Sequence, residues 1–421
     1  MDTLLRKERR PKVYDNHYDW SKLFPDLLRK MIESLSSIDY HRAKTVCSYW
    51  YCVWKTCVKR PQYPWQVIYY GDDDSLSLFD PRENNIYNKR LLGLSDNSHY
   101  MASSGNWLLM ADSHLNFYFF NLLTAKKINL PSMDSPIGGG QMRSDCSNNK
   151  WGYFFQHGLA CQVLKFDICG SKRSAVVWID ERTEDYFVAW ILKNRYLFTH
   201  KKGDDSWCNQ SYNNWITTEG GLYDLAYKNG KLYLYTYHDN IKIIDFSGDS
   251  PKEEMENNPY RDHPFPDYYQ LVWGNGYLCN RRIAIQKSGE VLIIWSCQNF
   301  EYRDPRNLFY IFKLNLESNE WERVYSIGDD EMLIFGHGVT IKAPVQDVGD
   351  GIKSGSICFV HDDTIPGYEY PSKCGVLDIF TGQITGYSYP SNCGVFDLAT
   401  GKITWTKIIS FKSHWFVPRF A

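Results

Sequence analysis

The chain has 421 residues, enough for a small module and one large domain, and its formal net charge of −2 gives no general attraction to nucleic acid or anionic membranes. Aromatic residues make up 16% of the chain, with 31 Tyr and 15 Trp, which favours a β-rich fold over a helical bundle. The twelve scattered cysteines contain no C-x-x-C pair, and no window is apolar enough for a signal peptide or a membrane span. We therefore expect reduced, buried thiols and binding to neither nucleic acid nor membranes.

Residues 1–19 are predicted to form a flexible basic tail. The run from Arg6 to Lys12 is rich in arginine and lysine. Such a run is compatible with a nuclear import signal and equally with a solvated tail. The expected location is therefore the nucleus, the cytoplasm or both.

Residues 20–60 are predicted to form a module of three short helices. Pro25 and Asp26 suit the first turn of a helix, and Ser36 to Asp39 offer a capping box for the next one. A helical apolar stripe follows Pro25, at Leu27, Leu28, Met31, Ile32 and Leu35. A second stripe crosses a joint near Cys47, at Ala43, Val46, Trp50, Val53, Trp54 and Cys57. A module of this size is marginally stable if left alone.

The order of residues in this module resembles the F-box. Leu23-x-Pro25-Asp26-Leu27-Leu28 is followed by Leu35, by Ile38-Asp39, by Arg42 and by Val46-Cys47-x-x-Trp50. The resemblance implies docking to an Skp-type adaptor and, through it, to the cullin and RING subunits of a ubiquitin ligase. The adaptor-binding residues it predicts are Leu23, Pro25, Leu27, Leu28, Ile32, Leu35, Ile38, Val46 and Trp50. Phe24 departs from the family, which usually has proline after the first leucine, and this puts the adaptor affinity in question. The alternative is an unrelated helical hairpin.

From Trp65 onwards the sequence consists of short apolar runs separated by Gly, Asn, Asp and Pro turns. A strand that ends in an apolar residue followed by Asp or Asn recurs, with anchors at Asp80, Asn121, Asp167, Asp245, Asn315, Asp378 and Asp397. The first three anchors are 41 and 46 residues apart. The next anchor, Asp245, follows Asp167 after two periods of 39 residues, and the anchor expected between them, near Trp207, is degenerate. Several strands per period of about 40–50 residues predict a β-propeller over 65–421. We expect about seven blades, and a pair of β-sandwiches is the competing interpretation.

A propeller protects its edges when strands from both ends of the domain meet. We therefore expect the runs Trp65–Tyr70 and Ile403–Phe411 to lie in the same blade or in adjoining blades. The fold class predicted for the whole chain is α+β and multidomain, with a three-helix module followed by an all-β propeller.

Further segments resemble plant F-box proteins whose C-terminal region, predicted to be a propeller, was formerly called domain of unknown function 295. These are Gly105-Asn-Trp-Leu-Leu-Met-Ala-Asp112, Tyr227-Lys-Asn-Gly-Lys-Leu-Tyr233, and Phe312-Lys-Leu-Asn315 with Glu320-Trp321. The resemblance covers nearly all of the chain after the helices. It implies a subunit that recognises a target protein, and it does not identify that target.

One segment occurs twice in tandem. Residues 370–385 are repeated 19 positions later at 389–404, and eleven of the sixteen aligned residues are identical. Each copy reads as two strands joined at Thr-Gly, which is a hairpin-type turn. Because 19 residues are too few for a blade, one copy is expected to form an extra hairpin.

Enzyme signatures are not found in the sequence: it lacks phosphate-binding, zinc-protease and nucleophile-elbow motifs. The acidic runs Asp72–Asp74, Asp329–Glu331 and His361–Asp363 fit strand-end turns better than metal sites. We expect no catalytic residue, metal or cofactor, and a target-protein surface on loops that vary between repeats, at Asn257–Tyr269 and Lys202–Trp215. The predicted target contacts are Trp207, Tyr212 and Trp215, unless these aromatics only cover strand ends.

The favoured interpretation of function is a substrate-receptor subunit of a Skp–cullin–F-box ubiquitin ligase. Two alternatives stay open. One is an interaction protein that binds the adaptor without forming an active ligase, and the other is a propeller enzyme.

Overall fold

The structure is a computed structural model, and it divides into two compact units, the first reaching Pro61 and the second beginning at Gln62. It describes residues 23–69, 75–90, 98–112, 116–133, 141–145, 152–157, 160–164, 174–192, 194–210, 221–266, 277–299, 307–360, 375–377, 384–386, 393–406 and 413–419. The predicted basic tail, 1–19, lies outside these residues. Among the described helices, none has the length and apolar content to cross a membrane.

The first unit contains the three predicted helices, α1 (Pro25–Ser34), α2 (Ser37–Ala43) and α3 (Ser48–Trp54). The predicted cap before α2 is present, because the Ser36 hydroxyl accepts the amide of Asp39 at 3.2 Å. At the end of α1, Arg60 Nη2 donates to the carbonyls of Glu33 (3.0 Å) and Leu35 (2.6 Å). A cation at a helix C-terminus is favourable, so Arg60 fixes the turn between the helices.

Antiparallel sheets of four strands build the first two blades of the second unit. Blade I contains β1 (Trp65–Tyr69), β2 (Ser75–Asp80), β3 (Asn85–Arg90) and, next to β1, β30 (Ser413–Phe416). Blade II contains β4 (His99–Ser104), β5 (Trp107–Ala111), β6 (Phe117–Asn121) and β7 (Lys127–Asn129). A three-stranded sheet follows, of β8 (Gln141–Asp145), β9 (Gly152–His157) and β10 (Ala160–Leu164).

The next three blades repeat the four-stranded pattern. Blade III contains β11 (Ser174–Ile179), β12 (Tyr186–Leu192), β13 (Tyr196–Lys201) and β14 (Cys208–Asn209). Blade IV contains β15 (Leu222–Lys228), β16 (Lys231–Thr236), β17 (Ile241–Asp245) and β18 (Lys252–Glu253). Blade V contains β19 (Tyr277–Ile285), β20 (Val291–Asn299), β21 (Asn307–Asn315) and β22 (Glu320–Val324).

The last blade is a five-stranded sheet that includes the second copy of the duplicated segment. Blade VI contains β23 (Glu331–Ile334), β24 (Thr340–Lys342), β25 (Ser356–Val360), β28 (Cys393–Asp397) and β29 (Lys402–Trp405). The first copy forms a separate hairpin of β26 (Gly375–Leu377) and β27 (Ile384–Gly386). The prediction of one extra hairpin is confirmed.

A propeller is confirmed, with six blades in the described residues where about seven were expected. The difference lies in the sheet β8–β10. The sheet β8–β10 falls between blades II and III in the sequence, but in the structure β4 of blade II packs directly on β11 of blade III. The sheet is therefore an insertion, and Asp167, which was counted as a blade anchor, falls outside the described residues.

The ring closes as predicted between the two ends of the domain. β30 pairs with β1, with Trp65 opposite Phe416, so the C-terminal strand completes the first blade. Trp415 of β30 donates its Nε1–H to the Phe359 carbonyl of blade VI at 3.0 Å. Within the predicted run 403–411, residues up to Trp405 belong to β29 of blade VI, which adjoins blade I.

The recurring Asp and Asn anchors have a shared structural role. Each anchor in the described residues ends a strand and accepts the backbone amide two positions later at 2.7–3.0 Å, as seen at Asp80, Asn121, Asp245, Asn315 and Asp397. These Asx turns lead into the outermost strand of their blades. The sequence period therefore marks one particular turn of the blade.

Apolar side chains fill the spaces between adjacent blades. One cluster, between blades II and III, includes Trp107, Trp190 and Trp207, and similar clusters lie between the later blades. Large aromatic rings suit these layers because each blade presents a broad, flat face.

Candidate functional site

The helical module exposes large apolar side chains at the start of α1 and just before α3. Phe24 is 76% exposed, Leu27 57% and Val46 58%. The Tyr49 hydroxyl donates to the Leu23 carbonyl at 2.5 Å, which holds the start of α3 beside the start of α1. These exposed groups therefore lie at one end of the module. We call Phe24, Pro25, Leu27 and Val46 the adaptor face, after the partner predicted from the sequence.

The predicted adaptor-binding residues divide by burial. Pro25, Leu27 and Val46 are exposed, and for them adaptor contact stays a prediction. Leu28 and Ile32 are fully buried in the core of the module, together with Tyr40, Ala43, Val53 and Cys57.

Leu28, Ile32 and Ile38 of the predicted set are buried in the structure, so adaptor contact through these three side chains stays a prediction that their burial does not support. Leu23, Leu35 and Trp50 are half-buried and pack against the module's core while part of each side chain stays accessible.

Sequence reasoning missed a second exposed feature, on α3. Tyr51 is exposed and stacks on Trp54, with ring centroids 6.3 Å apart. The ammonium group of Lys55 lies 4.3 Å from the Tyr51 ring, and that of Lys44 lies 5.4 Å from the Trp54 ring. The spacing of Tyr51 and Trp54 by three residues was the available signal, since such pairs share a helix face.

Burial also sets the charge of the module's histidine. His41 lies against Trp54 and Tyr40, and burial, with the nearby Lys44 cation, lowers its pKa from 6.5 to about 3. The imidazole is therefore neutral at physiological pH.

The predicted target contact at Trp207 is wrong. Trp207 is fully buried, its ring lies 5.1 Å from that of Phe117, and its Nε1–H donates to the Pro131 carbonyl at 2.9 Å. It fills the layer between blades II and III, so the alternative interpretation, an aromatic that covers strand ends, holds. Tyr212 and Trp215 lie outside the described residues.

The other predicted target loop, Asn257–Tyr269, also places its described aromatics in the interior. Tyr260 and Phe265 are buried and pack on Trp321 of blade V. The Tyr260 hydroxyl accepts the Val291 amide at 2.9 Å, and burial raises the pKa of this phenol to about 12. These residues join blades IV and V and are not a binding surface.

An exposed aromatic group lies instead in blade IV, where Tyr223 near the start of β15 meets the turn between β16 and β17. Tyr237 is 42% exposed, and its ring packs 4.4 Å from that of Tyr223. Arg281 lies 4.5 Å from the Tyr223 ring and pairs with Asp239 at 2.8 Å. The Asn194 amide donates to the Tyr237 hydroxyl at 2.5 Å. This Tyr237 cluster is rigid because cation–π, ionic and hydrogen-bond contacts all hold it.

Buried polar side chains connect the strands of neighbouring blades. Asp224 accepts from Ser174 Oγ at 2.7 Å, from Arg282 Nη1 at 3.0 Å and from the Ile283 amide at 3.0 Å. Ser174, Asp224 and Arg282 belong to blades III, IV and V. This network therefore joins three consecutive blades.

His337 makes the corresponding connection across the closure of the ring. Its Nε2 lies 3.1 Å from the Trp415 carbonyl and 3.3 Å from Ser103 Oγ. A carbonyl can only accept, so Nε2 carries the proton. Burial lowers the pKa of His337 from 6.5 to about 4, and the ring is neutral at physiological pH.

In the part of the chain that the structure describes, no three His, Cys, Asp or Glu side chains are grouped to hold a metal ion. The described acidic run, 329–331, has structural partners. Asp330 pairs with Lys287 at 2.8 Å, and Glu331 accepts the Thr340 hydroxyl and the Lys287 amide. The runs at 72–74 and 361–363 lie outside the described residues.

The family profile described as the KIB1-4 beta-propeller matches residues 78–397. F-box only protein 7 of Arabidopsis thaliana is 54% identical to the chain, over 99% of the chain and 98% of that protein. Two further proteins of the same plant are more distant. F-box protein KIB4 is 35% identical over 81% of the chain and 82% of its own length, and F-box protein KIB3 is 31% identical over 83% and 72%.

Proposed function

Because the chain belongs to the plant F-box proteins that carry a KIB1-4 β-propeller, we propose that it is the substrate receptor of a Skp–cullin–F-box ubiquitin ligase. The helical module binds an Skp-type adaptor, and the propeller binds a target protein. The transfer chemistry belongs to other subunits. The chain contributes proximity, because it raises the effective concentration of a target lysine near the charged carrier enzyme.

The observation that carries this proposal is the adaptor face. A module of about forty residues gains little from its own core, and exposing Phe24, Leu27 and Val46 to water offsets part of that gain. Burial of these side chains against a partner would recover the stability that their exposure costs. A few buried anchor residues carry most of the binding energy of an interface, and truncating one of them costs about 2 kcal/mol or more.

Phe24 is compatible with this proposal. It precedes Pro25 in an extended conformation (φ −59°, ψ 139°), and its carbonyl accepts the Leu28 amide at 3.0 Å. The first turn of α1 therefore forms normally, and the Phe24 ring adds apolar area to the adaptor face.

The double substitution Leu27→Ala/Val46→Ala tests adaptor binding without disturbing the core of the module. We expect the Kd for an Skp-type adaptor to rise by about 30-fold or more, equivalent to about 2 kcal/mol, as measured by isothermal titration calorimetry with the full-length chain. The matched control is Leu316→Ala, because Leu316 is 59% exposed in the turn after β21 of blade V. That substitution should leave the Kd unchanged.

An unchanged Kd for the double variant would contradict the adaptor assignment. Ligase assembly is a separate question, which co-purification of cullin with the tagged chain answers. If the adaptor binds and cullin does not, the chain is an adaptor-binding protein without ligase function.

A further inference from the structure

The two copies of the duplicated segment form hairpins in the same register. In blade VI, Gly394 is opposite Trp405, Val395 opposite Thr404 and Phe396 opposite Ile403. In the separate hairpin, Gly375 is opposite Gly386, Val376 opposite Thr385 and Leu377 opposite Ile384. Each pair in the first copy lies 19 positions before its counterpart in the second. The first copy therefore has the backbone pairing that blade VI uses.

Blade VI places strict demands on the strand that pairs with β25. A Cβ atom on Gly394 would lie 2.6 Å from Phe359 Cζ, which is too close for any side chain. The Phe359 ring cannot move aside easily, because it is fully buried and packed between Phe309 and Trp405. The first copy has glycine at the equivalent position, Gly375.

The rest of the copied strand meets the same demands. Cys393 and Val395 are buried, and the first copy has Cys374 and Val376. The turn that follows depends on Asp397, which accepts the Ala399 amide at 3.0 Å and pairs with Lys353 at 2.9 Å. It also depends on Gly401, whose φ of +65° favours glycine. In sequence, the first copy supplies Asp378 and Gly382 at these two positions.

Two differences between the copies explain why the second one occupies the blade. Phe396 packs on Phe309, with ring centroids 5.2 Å apart, and Trp405 packs on Phe359 at 5.6 Å. The first copy has Leu377 and Gly386 instead, which bury less apolar area. Chain length does not prevent an exchange, since residues 361–373 still connect β25 to the first copy.

We propose that the first copy can replace the second in blade VI, so that the chain completes this blade in two alternative ways. The hairpin left outside differs between the two states. In sequence, the copy left outside contains Phe380 and Gln383 when the second copy is in the blade, and Ala399, Lys402 and Trp405 when the first copy is. The exchange changes which side chains are left outside the blade, while the ring itself stays closed.

Three full-length variants test the exchange: Gly394→Val, Gly375→Val and the double variant. Gly394→Val excludes the second copy from the blade, and the proposal expects the first copy to take its place with a small fall in Tm. Gly375→Val should have little effect, because the first copy is outside the blade. The double variant blocks both copies, and its fall in Tm should be several times the sum of the single effects. If Gly394→Val is as destabilising as the double variant, the proposal is overturned.

A disulfide assay identifies which copy is in the blade. Val360 is directly opposite Cys393, and opposite residues of antiparallel strands have Cα separations of about 4.5–5.5 Å, which a disulfide can span. After oxidation of the Val360→Cys variant, peptide mapping should find the introduced thiol bonded to Cys393. When Gly394→Val is added to this variant, the introduced thiol should instead be bonded to Cys374. Retention of the bond to Cys393 in that background, or a disulfide-linked dimer, would overturn intramolecular exchange.

Discussion

The buried pair of Asp224 and Arg282 gives a quantitative test of how the propeller is held together. Both side chains are almost fully buried, and the carboxylate also accepts from Ser174 and from the Ile283 amide. Replacing Asp224 by alanine leaves the guanidinium buried without its counter-ion. Removing one partner of a buried ion pair costs about 3–5 kcal/mol, so we expect a loss of that size.

The expected change in melting temperature follows from the size of the propeller unit. The entropy of unfolding is about 2.1 cal/mol/K per residue, so in a unit of roughly 360 residues 1 kcal/mol corresponds to about 1.3 °C. Asp224→Ala should therefore lower Tm by about 4–7 °C in differential scanning calorimetry of the full-length chain. Arg282→Met should have a similar effect, because it leaves the carboxylate buried and unpaired.

The double variant Asp224→Leu/Arg282→Met shows whether an unpaired buried charge causes the loss of stability in the single variants. A buried ion pair replaced by apolar residues of similar volume often costs little, so the double variant should be more stable than either single one. A fall of less than about 1 °C for Asp224→Ala, or a double variant that is less stable than both single variants, would refute this reasoning.

Two further predictions concern residues whose burial the structure reveals. The folded state keeps His337 neutral, whereas in the unfolded chain this imidazole takes up a proton below pH 6.5. The free energy of unfolding should therefore fall as the pH drops from about 6.5 towards 4, by up to about 3 kcal/mol. His337→Gln should flatten this decline in urea unfolding measured at pH 7.5 and pH 5, and an unchanged slope would show that His337 is not its source. Trp207→Ala should destabilise the chain by about 3–5 kcal/mol, whereas Tyr237→Ala should leave Tm nearly unchanged, because Tyr237 is 42% exposed. Equal thermal effects of the two substitutions would contradict this assignment of buried and exposed aromatics.

The helical module, the propeller and the plant F-box family could be predicted because their signals are local. The caps and stripes of the helices involve residues three or four positions apart. The anchors such as Asp80 and Asn121 recur because each blade needs the same Asx turn, which depends on one side chain and the amides just after it.

The number of blades and the target surface depend on contacts between distant parts of the chain. The segment between β7 and β11, residues 130–173, has the length of one repeat, and only the packing of β4 on β11 shows that its sheet, β8–β10, is an insertion. Trp207 follows a polar turn and reads as a loop residue, but its ring fills a layer that blade II provides. The sequence analysis did not identify Asp224 and Arg282, although a charged residue inside an apolar strand is a signal for a buried pair.

The pairing of β30 with β1 separates the folding of the two units in time. Roughly 350 residues lie between these strands, so the ribosome needs about 20–70 s, at 5–20 residues per second, to supply β30 after β1 has been made. The helical module is complete before that interval starts. During this interval, the edge of β1 that β30 later covers has unpaired backbone N–H and C=O groups. An exposed strand edge of this kind promotes edge-to-edge aggregation. A transcript with a stop codon upstream of Ser413 would make that state permanent, yielding a chain with an intact helical module and a propeller that cannot close.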